Sequence, residues 1–221
     1  MKHRFLTLGL LLTMSLVNVA FTSCSKGEDD NDNQETISTT TDQGVVINGV
    51  KWATRNVAAP GTFASKPEDL GKFYQWNSKV AWSATDKNVT GWKAIVPESS
   101  VWEKANDPSP AGWRIPTLEE IEKLFDPDKV NSKWVTQKGV NGKVFTDKIT
   151  GNSIFLPAAG CRLYNDGALS GDGTLGYYWS SSLDELDEVR AHSLYFYNEG
   201  VGSGSYSQIN AFSVRTVAEH L

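Results

Sequence analysis

One stretch near the middle of the chain carries the clearest helical pattern of apolar residues. In residues 118–125, apolar side chains recur at positions that share one helix face, which predicts a short amphipathic helix. Thr117 precedes this run and Glu120 follows Thr117 by three positions, a spacing typical of a capping box. An Asp-Pro pair at 126–127 predicts the end of the helix.

The segment before this helix is predicted to be an extended structural anchor. Residues 107–116 contain three prolines, which exclude a helix and hold the backbone extended. Trp113 and Ile115 are predicted to point into the core that the helix covers. Arg114, between them, is predicted to bind loop carbonyl groups, because its guanidinium offers five donors. Contact with a ligand carboxylate or sulfate is the alternative.

Alternating apolar residues and turn signals elsewhere predict a chain rich in β-strands. Asn48-Gly49 predicts a turn between two short strands within residues 45–57. Asn141-Gly142 predicts a second hairpin in the same way. Further strands are predicted at 153–157, 191–197 and 211–217.

Three tryptophans lie ten residues apart in a region where the periodicity fades. We expect Trp82, Trp92 and Trp102 to pin a long loop to the body, since buried loop anchors are common. A stacking platform for sugar rings is the alternative. No other residue type repeats with them, so they do not indicate a repeat architecture.

The N-terminal region predicts export and anchoring to a membrane. Residues 1–23 have a basic start and an apolar stretch, as expected of a signal peptide. Residues 21–24 resemble a bacterial lipobox, which predicts lipidation at Cys24. The polar segment 24–43 is predicted to be a disordered acidic tether. It also resembles the export signal of surface lipoproteins in Bacteroidetes-type bacteria. We therefore expect an outer-membrane lipoprotein that faces the cell exterior, with one domain over 44–221.

Charge and cysteine content narrow the possible partners. The net charge of −5 argues against nucleic acid and against binding to an anionic lipid surface, so contact with the membrane is expected only through the lipid on Cys24. Two cysteines cannot build a disulfide framework, and Cys161 is predicted to be a small core residue.

Three motifs, in the expected order, resemble one known family. Residues 107–117, with Glu120 and Leu124 after them, resemble the Gly-Trp-Arg-hydrophobic-Pro-Thr signature of the Fibrobacter major paralogous (FISUMP) domain. Residues 178–182 and 212–217 match the same family, as they match the related C-terminal domain of a bacterial collagen-like adhesin.

The resemblance implies an α+β protein of the C-type lectin-like superfold. We therefore expect twisted antiparallel sheets, one or two short helices and long loops. Members of the family often have Cys where this chain has Ser109, so a possible disulfide partner of Cys161 is missing. Formylglycine-generating enzymes carry a similar motif, but their chemistry needs a pair of cysteines. The chain is therefore predicted not to be an enzyme.

The last third of the chain is rich in Tyr, Ser, Gly and Asn. This composition is typical of adaptable binding surfaces, because Tyr offers a large contact area at low entropic cost and the small residues adapt their hydrogen bonds. Polar loops without a ligand are the alternative. The predicted ligand-binding residues are Tyr164, Asn165, Asp166, Tyr177, Ser181, Asp184, Tyr195, Tyr197, Asn198 and Tyr206.

No cofactor is predicted. The calcium motifs of sugar-binding C-type lectins, Glu-Pro-Asn or Gln-Pro-Asp followed by Trp-Asn-Asp, are not in the sequence. Calcium also needs six to eight oxygen ligands from several points of the chain, and zinc needs His and Cys residues that are scarce here.

The sequence thus predicts a non-catalytic surface protein that binds a glycan or a protein in adhesion or recognition. Two alternatives remain. One is a structural or tip subunit of a surface assembly. The other is a variable receptor of the kind that diversity-generating retroelements produce, which a near-copy of the codons for residues 176–217 would reveal.

Overall fold

The computed structural model describes residues 41–220. The predicted signal peptide (1–23), the lipidation site Cys24 and most of the predicted tether (24–43) lie outside the described residues. Asp42, near the end of the predicted tether, already belongs to the folded domain. Its carboxylate is buried and accepts hydrogen bonds from Gly44, Thr54 and Arg55.

Short strands dominate residues 41–220. In chain order the elements are β1 (Val45–Ile47), β2 (Val50–Trp52), β3 (Lys72–Gln75), β4 (Trp82–Ser83), a 3-10 turn (Lys104–Asn106), β5 (Trp113–Arg114), α1 (Leu118–Leu124), β6 (Val130–Gln137), β7 (Val140–Asp147), β8 (Ser153–Pro157), β9 (Cys161–Arg162), β10 (Leu169–Ser170), β11 (Gly176–Asp184), β12 (Asp187–Phe196), β13 (Val201–Ser207), β14 (Ala211–Ser213) and β15 (Val217–Ala218).

The first sheet joins the two ends of the described chain. Its order is β1-β2-β15-β5, so the last strand lies between the first hairpin and the anchor segment. The predicted Asn48-Gly49 turn is confirmed, with φ of 46° and 78°. These left-handed values are the ones that a tight hairpin turn requires and that Asn and Gly adopt most readily.

The predicted helix and its cap are confirmed. The side chain of Thr117 accepts a bond from Glu120 N–H, and the Glu120 carboxylate accepts one from Thr117 N–H, so the capping box is complete. Ile115 is buried, as predicted. The prediction for Trp113 was wrong, because its ring is only half-buried and packs edge-on against Phe63 at 5.6 Å.

The second sheet carries the C-terminal third of the chain. Its order is β10-β9-β14-β11-β12-β13, and β3 with β4 joins it through β14. All its pairings within named strands are antiparallel except that of β14 with β11. The predicted closing strand is split into β14 and β15, and between them Arg215 turns inward to bind Asn56.

The third sheet, β6-β7-β8, corrects the position of the second hairpin. The turn is at Lys138-Gly139, both with positive φ, and not at Asn141-Gly142. Gly142 lies inside β7, where the backbone and the ring of Phe155 approach so closely that a Cβ would lie 2.6 Å from that ring. Glycine at this position therefore serves packing rather than chain reversal.

The largest apolar core lies against α1 and takes residues from all three sheets. Ile121 and Leu124 of α1 belong to one buried cluster with Phe145, Leu194 and Phe196. Because α1 has only seven residues, burial of this apolar face rather than helix propensity stabilises it.

Long loops are pinned by tryptophans and by buried arginines. Trp82 packs against Trp92 at 4.9 Å, and Trp102 packs against Trp76 at 5.4 Å, so the predicted anchoring role is confirmed. Arg162 is fully buried and donates hydrogen bonds to the carbonyl oxygens of Ser83, Asp86, Lys87 and Gly167. The Arg162 guanidinium thus ties several loop carbonyls together, whereas Arg114, for which this role was predicted, donates to the carbonyl oxygen of Ile115 and otherwise binds Glu120.

The described chain is therefore a small β-rich α+β fold built on open sheets. It has one α-helix and long loops within residues 41–220, and its strand pairings are predominantly antiparallel, as expected. In this part of the chain no helix has the length and apolar character needed to cross a membrane.

Candidate functional site

Three of the predicted contact residues come together on one face of the second sheet. Tyr177 on β11 is paired with Tyr195 on β12, and Tyr206 on β13 is paired with Ala191 of β12. Since side chains alternate along a strand, all three point to the face opposite α1. Each is half-buried. We call Tyr177, Tyr195 and Tyr206 the tyrosine patch.

The rings of the tyrosine patch meet edge to face. The centroids of Tyr177 and Tyr206 are 5.3 Å apart at an interplanar angle of 77°, and those of Tyr195 and Tyr206 are 6.5 Å apart at 71°. Edge-to-face pairs at such distances are favoured by the quadrupoles of the rings. The patch is therefore one connected aromatic surface rather than three independent side chains.

Phe212 forms the floor of the tyrosine patch. It is buried, lies parallel to the ring of Tyr177 at 4.9 Å and makes an edge contact with Tyr206 at 5.5 Å. Its other contact is a stack on the buried Trp179 at 4.1 Å. The half-buried rings thus pack on the core, which limits the side-chain conformational freedom that they would lose on binding a ligand.

Two glycines on β13 let the tyrosine rings lie close to the sheet. A Cβ on Gly202 would be 3.1 Å from the hydroxyl oxygen of Tyr195, and a Cβ on Gly204 would be 2.9 Å from the ring of Tyr206. Larger residues at these two positions would displace the rings. The glycines are therefore part of the site, although no pattern in the sequence distinguishes them from the other glycines of the C-terminal third.

Tyr197 and Asn198 extend the site beyond the end of β12. Tyr197 has the same parity as Tyr195, is 42% exposed and lies over Gly200, whose Cβ would be 2.7 Å from the Tyr197 ring. Asn198 is exposed in the turn that follows. Both residues follow Tyr195 closely in the chain and therefore border the tyrosine patch.

The predicted residues Tyr164, Asn165 and Asp166 lie elsewhere on the second sheet. They form an exposed loop after β9, and β14 lies between β9 and β11. Trp92 fixes this loop by donating its indole N–H to the carbonyl oxygen of Tyr164 at 3.2 Å. These three residues are exposed as predicted, but the structure does not bring them into the tyrosine patch.

Asp184 and Ser181 lie apart from the tyrosine patch. The carboxylate of Asp184 accepts a hydrogen bond from Ser205, whose side chain has the opposite parity to Tyr206. Ser181 binds the carbonyl oxygen of Pro116 in the anchor segment through its N–H at 2.8 Å and through its hydroxyl. The predicted set of ten therefore divides among several parts of the surface.

Ser181 also lines a cleft of about 490 Å³ beside the anchor segment. Arg114 lines the same cleft, but its guanidinium binds Glu120 with two bonds of 2.6 and 2.8 Å. The bond to Glu120 raises the pKa of Arg114. Burial raises the pKa of Glu120, but the bonds from Arg114 and Thr117 outweigh it and lower that pKa overall. Because its charge is already paired, Arg114 is poorly suited to capture an anionic ligand.

The phenol groups of Tyr177 and Tyr206 and the nearby thiol of Cys161 stay protonated at neutral pH. Burial raises the pKa of Tyr206 to about 12 and also raises that of Tyr177. Burial likewise raises the pKa of the Cys161 thiol to about 11. Tyr177 and Tyr206 therefore offer uncharged hydroxyl groups, and the neighbouring thiol is a poor nucleophile.

Residues 41–220 contain no group of three or more His, Cys, Asp and Glu side chains arranged to hold a metal ion. The rings and hydroxyl groups of the tyrosine patch can stack, form hydrogen bonds and make apolar contacts.

Comparison with known proteins gives one match. A family described as a domain of unknown function, DUF8237, matches residues 132–217, less than half of the chain. The match includes the three strands that carry the tyrosine patch. Searches of curated proteins and of solved structures found no significant match.

Proposed function

We propose that this chain is a surface lipoprotein, anchored through Cys24, whose domain binds a glycan or a protein without transforming it. The observation that carries the proposal is the tyrosine patch. Its rings are half-buried: those of Tyr177 and Tyr206 pack on Phe212, and those of Tyr195 and Tyr206 lie against glycines of β13.

The patch suits recognition because tyrosine combines an aromatic face with a hydroxyl group at little entropic cost. The aromatic faces would pack against the C–H groups of a sugar ring or against apolar side chains of a protein. The hydroxyl groups of Tyr195 and Tyr206 would bind polar groups of the same ligand, and exposed Asn198 adds an adaptable amide nearby.

The state of Cys161 and His192 supports binding rather than catalysis. Cys161 is buried and its thiol is protonated at neutral pH because its pKa is raised. His192 belongs to the same face of β12 as Leu194, which is opposite to the face of the tyrosine patch. A thiol–imidazole pair at the patch would need both groups on one face.

The assignment to the C-type lectin-like superfold belongs to the same proposal. Its support is that the three segments of the sequence resemblance meet in space. Arg114 of the anchor is paired with Val217 of the last strand, and Ser181 N–H donates to Pro116 in the same anchor. A single fold that requires these contacts would explain why segments so far apart in the chain belong to one family signature.

The proposal is tested by screening the full chain on arrays of glycans and matrix proteins. We expect the double variant Tyr195→Ala/Tyr206→Ala to lose at least about tenfold in affinity for any ligand found, since central aromatic contacts dominate binding energy. Tyr164→Ala is the matched control, because Tyr164 is an exposed tyrosine in the loop after β9, outside the tyrosine patch.

Thermal unfolding of each variant separates loss of binding from loss of folding. Equal binding by a folded double variant and by the wild type would reject the tyrosine patch as the site. A stronger loss in Tyr164→Ala would move the site to the loop after β9.

A further inference from the structure

The strand β13 forms an open edge of the second sheet. It pairs with β12, and within residues 41–220 no second strand pairs with it. Its sequence, Val-Gly-Ser-Gly-Ser-Tyr-Ser, contains no charged residue and no proline. Native proteins commonly protect edge strands with such residues, so an unprotected edge indicates a surface that can pair with another chain.

The register fixes which backbone groups of β13 face outward. Tyr197 N–H donates to the carbonyl oxygen of Gly200, and Gln208 N–H donates to that of Val189. These two residue pairs, one at each end of the ladder between β12 and β13, are therefore hydrogen-bonded pairs. Because hydrogen-bonded and non-hydrogen-bonded pairs alternate in an antiparallel ladder, Gly202, Gly204 and Tyr206 bond to β12. The N–H and C=O groups of Val201, Ser203 and Ser205 therefore point away from the sheet.

Most of these outward groups have no protein partner in the described chain. One exception is the carbonyl oxygen of Ser205, which accepts a bond from the Arg190 side chain. The N–H groups of Val201, Ser203 and Ser205 and the C=O groups of Val201 and Ser203 remain for pairing. An incoming extended segment could form several main-chain bonds with them.

The two sides of this edge differ in chemistry. On the side of the tyrosine patch, the rings of Tyr195 and Tyr206 lie over the glycines of β13, so an added strand would meet aromatic surface. On the other side, Ser203 lies 3.4 Å from the Glu122 carboxylate and Ser205 lies 2.5 Å from the Asp184 carboxylate.

The charges that flank the edge favour a cationic occupant. The turns at the two ends of β12 carry acidic residues, while Arg190 is the basic residue within 183–200; the acidic residues are Asp184, Glu185, Asp187, Glu188 and Glu199. An antiparallel second copy of β13 would bring the acidic turns of both copies together. Charge complementarity therefore selects a basic partner over a second copy of this chain.

We propose that β13 binds an extended basic polypeptide as an additional strand of the sheet. Its main chain pairs with Val201, Ser203 and Ser205. Its basic side chains face Glu122 and Asp184, and its alternate, apolar side chains face Tyr195 and Tyr206. This inference does not rest on the proposed function, because the edge is open whatever the tyrosine patch binds.

The probe is a short fluorescent peptide that alternates lysine and valine, measured by anisotropy with the full chain. We expect this peptide to bind with an affinity that falls as salt is added. Its affinity should be at least about tenfold higher than that of the matching glutamate–valine peptide. Ser203→Pro should weaken it by at least about tenfold, because proline removes an outward N–H without breaking a bond to β12. Ser203→Ala, which keeps that N–H, is the matched control.

Amide hydrogen exchange gives a readout that does not depend on a variant's folding. We expect the peptide to slow exchange at Ser203 and Ser205, whereas Gly204, already bonded to β12, should change little. The proposal is overturned if the basic peptide does not bind, if the acidic peptide binds equally, or if a folded Ser203→Pro variant binds like wild type. Loss in Tyr206→Ala without loss in Ser203→Pro would assign the peptide to the tyrosine patch instead.

Discussion

Tyr177 and Tyr178 are neighbours on β11, yet they belong to two different environments. Tyr178 faces α1 and is 2% exposed, whereas Tyr177 faces the other way and lies in the half-open tyrosine patch. The same residue type is a core component on one face of the sheet and a candidate contact residue on the other. What covers each face decides the role, and composition alone does not.

The helix-side face is closed by polar as well as apolar contacts. The hydroxyl of Tyr178 donates to Pro157 O at 2.8 Å and accepts from the Asn56 side chain at 3.3 Å. Its ring stacks on that of Phe196 at 6.0 Å. On the opposite face, the Tyr195 ring packs on Tyr206 and lies near Gly202, while the Tyr206 ring also contacts Tyr177 and Phe212.

The largest difference between the faces should appear when a ring is removed from each. We expect Tyr178→Ala to lower the free energy of unfolding by about 4 kcal/mol, since it leaves a cavity and unpaired polar groups in the core. Tyr195→Ala should cost about 1 kcal/mol or less, the range for a cross-strand pair at a surface. Urea unfolding of both variants measures this, and similar losses would contradict the division into two faces.

Two glycines offer the same comparison with a single added methyl group. A Cβ on Gly176 would lie 2.1 Å from the buried ring of Phe196, and a Cβ on Gly204 would lie 2.9 Å from the ring of Tyr206. Gly176→Ala should cost about 2 to 3 kcal/mol, because the core cannot move aside.

Gly204→Ala should cost about 1 kcal/mol or less, because the Tyr206 ring can swing toward solvent. Thermal unfolding of the two variants measures both losses of stability. Gly204→Ala should also weaken ligand binding, because the added methyl group displaces the Tyr206 ring. If Gly204→Ala is the more destabilising of the two, the tyrosine patch is as rigid as the core.

The parts of the fold that could be predicted depend on local chemistry. The Thr117–Glu120 capping box and the Asn48-Gly49 turn each satisfy backbone requirements within a few residues, so the sequence specifies them directly. By contrast, Asn141-Gly142 has the turn signal without the turn, because Phe155, from a strand ten or more residues away, packs against Gly142. Such a contact is not visible in a local pattern.

The candidate site was predictable only in its composition. The Tyr-rich segments were identified, but which tyrosines meet depends on strand register. In particular, the pairing of β11 with β12 shifts between Trp179 and Leu183, so residues after the shift cannot be assigned to a face by counting. Ser181 and Asp184, which follow Trp179 in the chain, were predicted with the tyrosines from composition and lie apart from them.

A smaller effect should follow removal of a single hydroxyl group from each face. Tyr178→Phe leaves Pro157 O and the Asn56 side chain without their partner, so we expect a loss of about 1 to 2 kcal/mol. Tyr206→Phe should change the free energy of unfolding by less than about 0.5 kcal/mol, as for most surface substitutions. Equal losses in chemical denaturation would indicate that the Tyr206 hydroxyl is also bonded and desolvated.

The smallest effect concerns alkaline pH. Burial raises the pKa of Tyr178 and that of Tyr206 to about 12, above the value near 10 of an unfolded tyrosine. Their contribution to stability is therefore complete below about pH 10 and is lost as the pH rises through about 12. Burial raises the pKa of Tyr74 as well. Because Tyr74 is unchanged in every variant, it contributes equally to the pH dependence of all of them.

Unfolding free energies measured between about pH 10 and pH 12 should fall less steeply in Tyr178→Phe than in wild type, because one ionisation that opposes folding is gone. The change in slope should be smaller in Tyr206→Phe, since the Tyr206 ring can turn its phenolate toward water while the Tyr178 ring, held under α1, cannot. A slope that changes more in Tyr206→Phe would mean that the patch excludes water better than the helix-covered face, and would reverse the roles given to the two sides of the sheet.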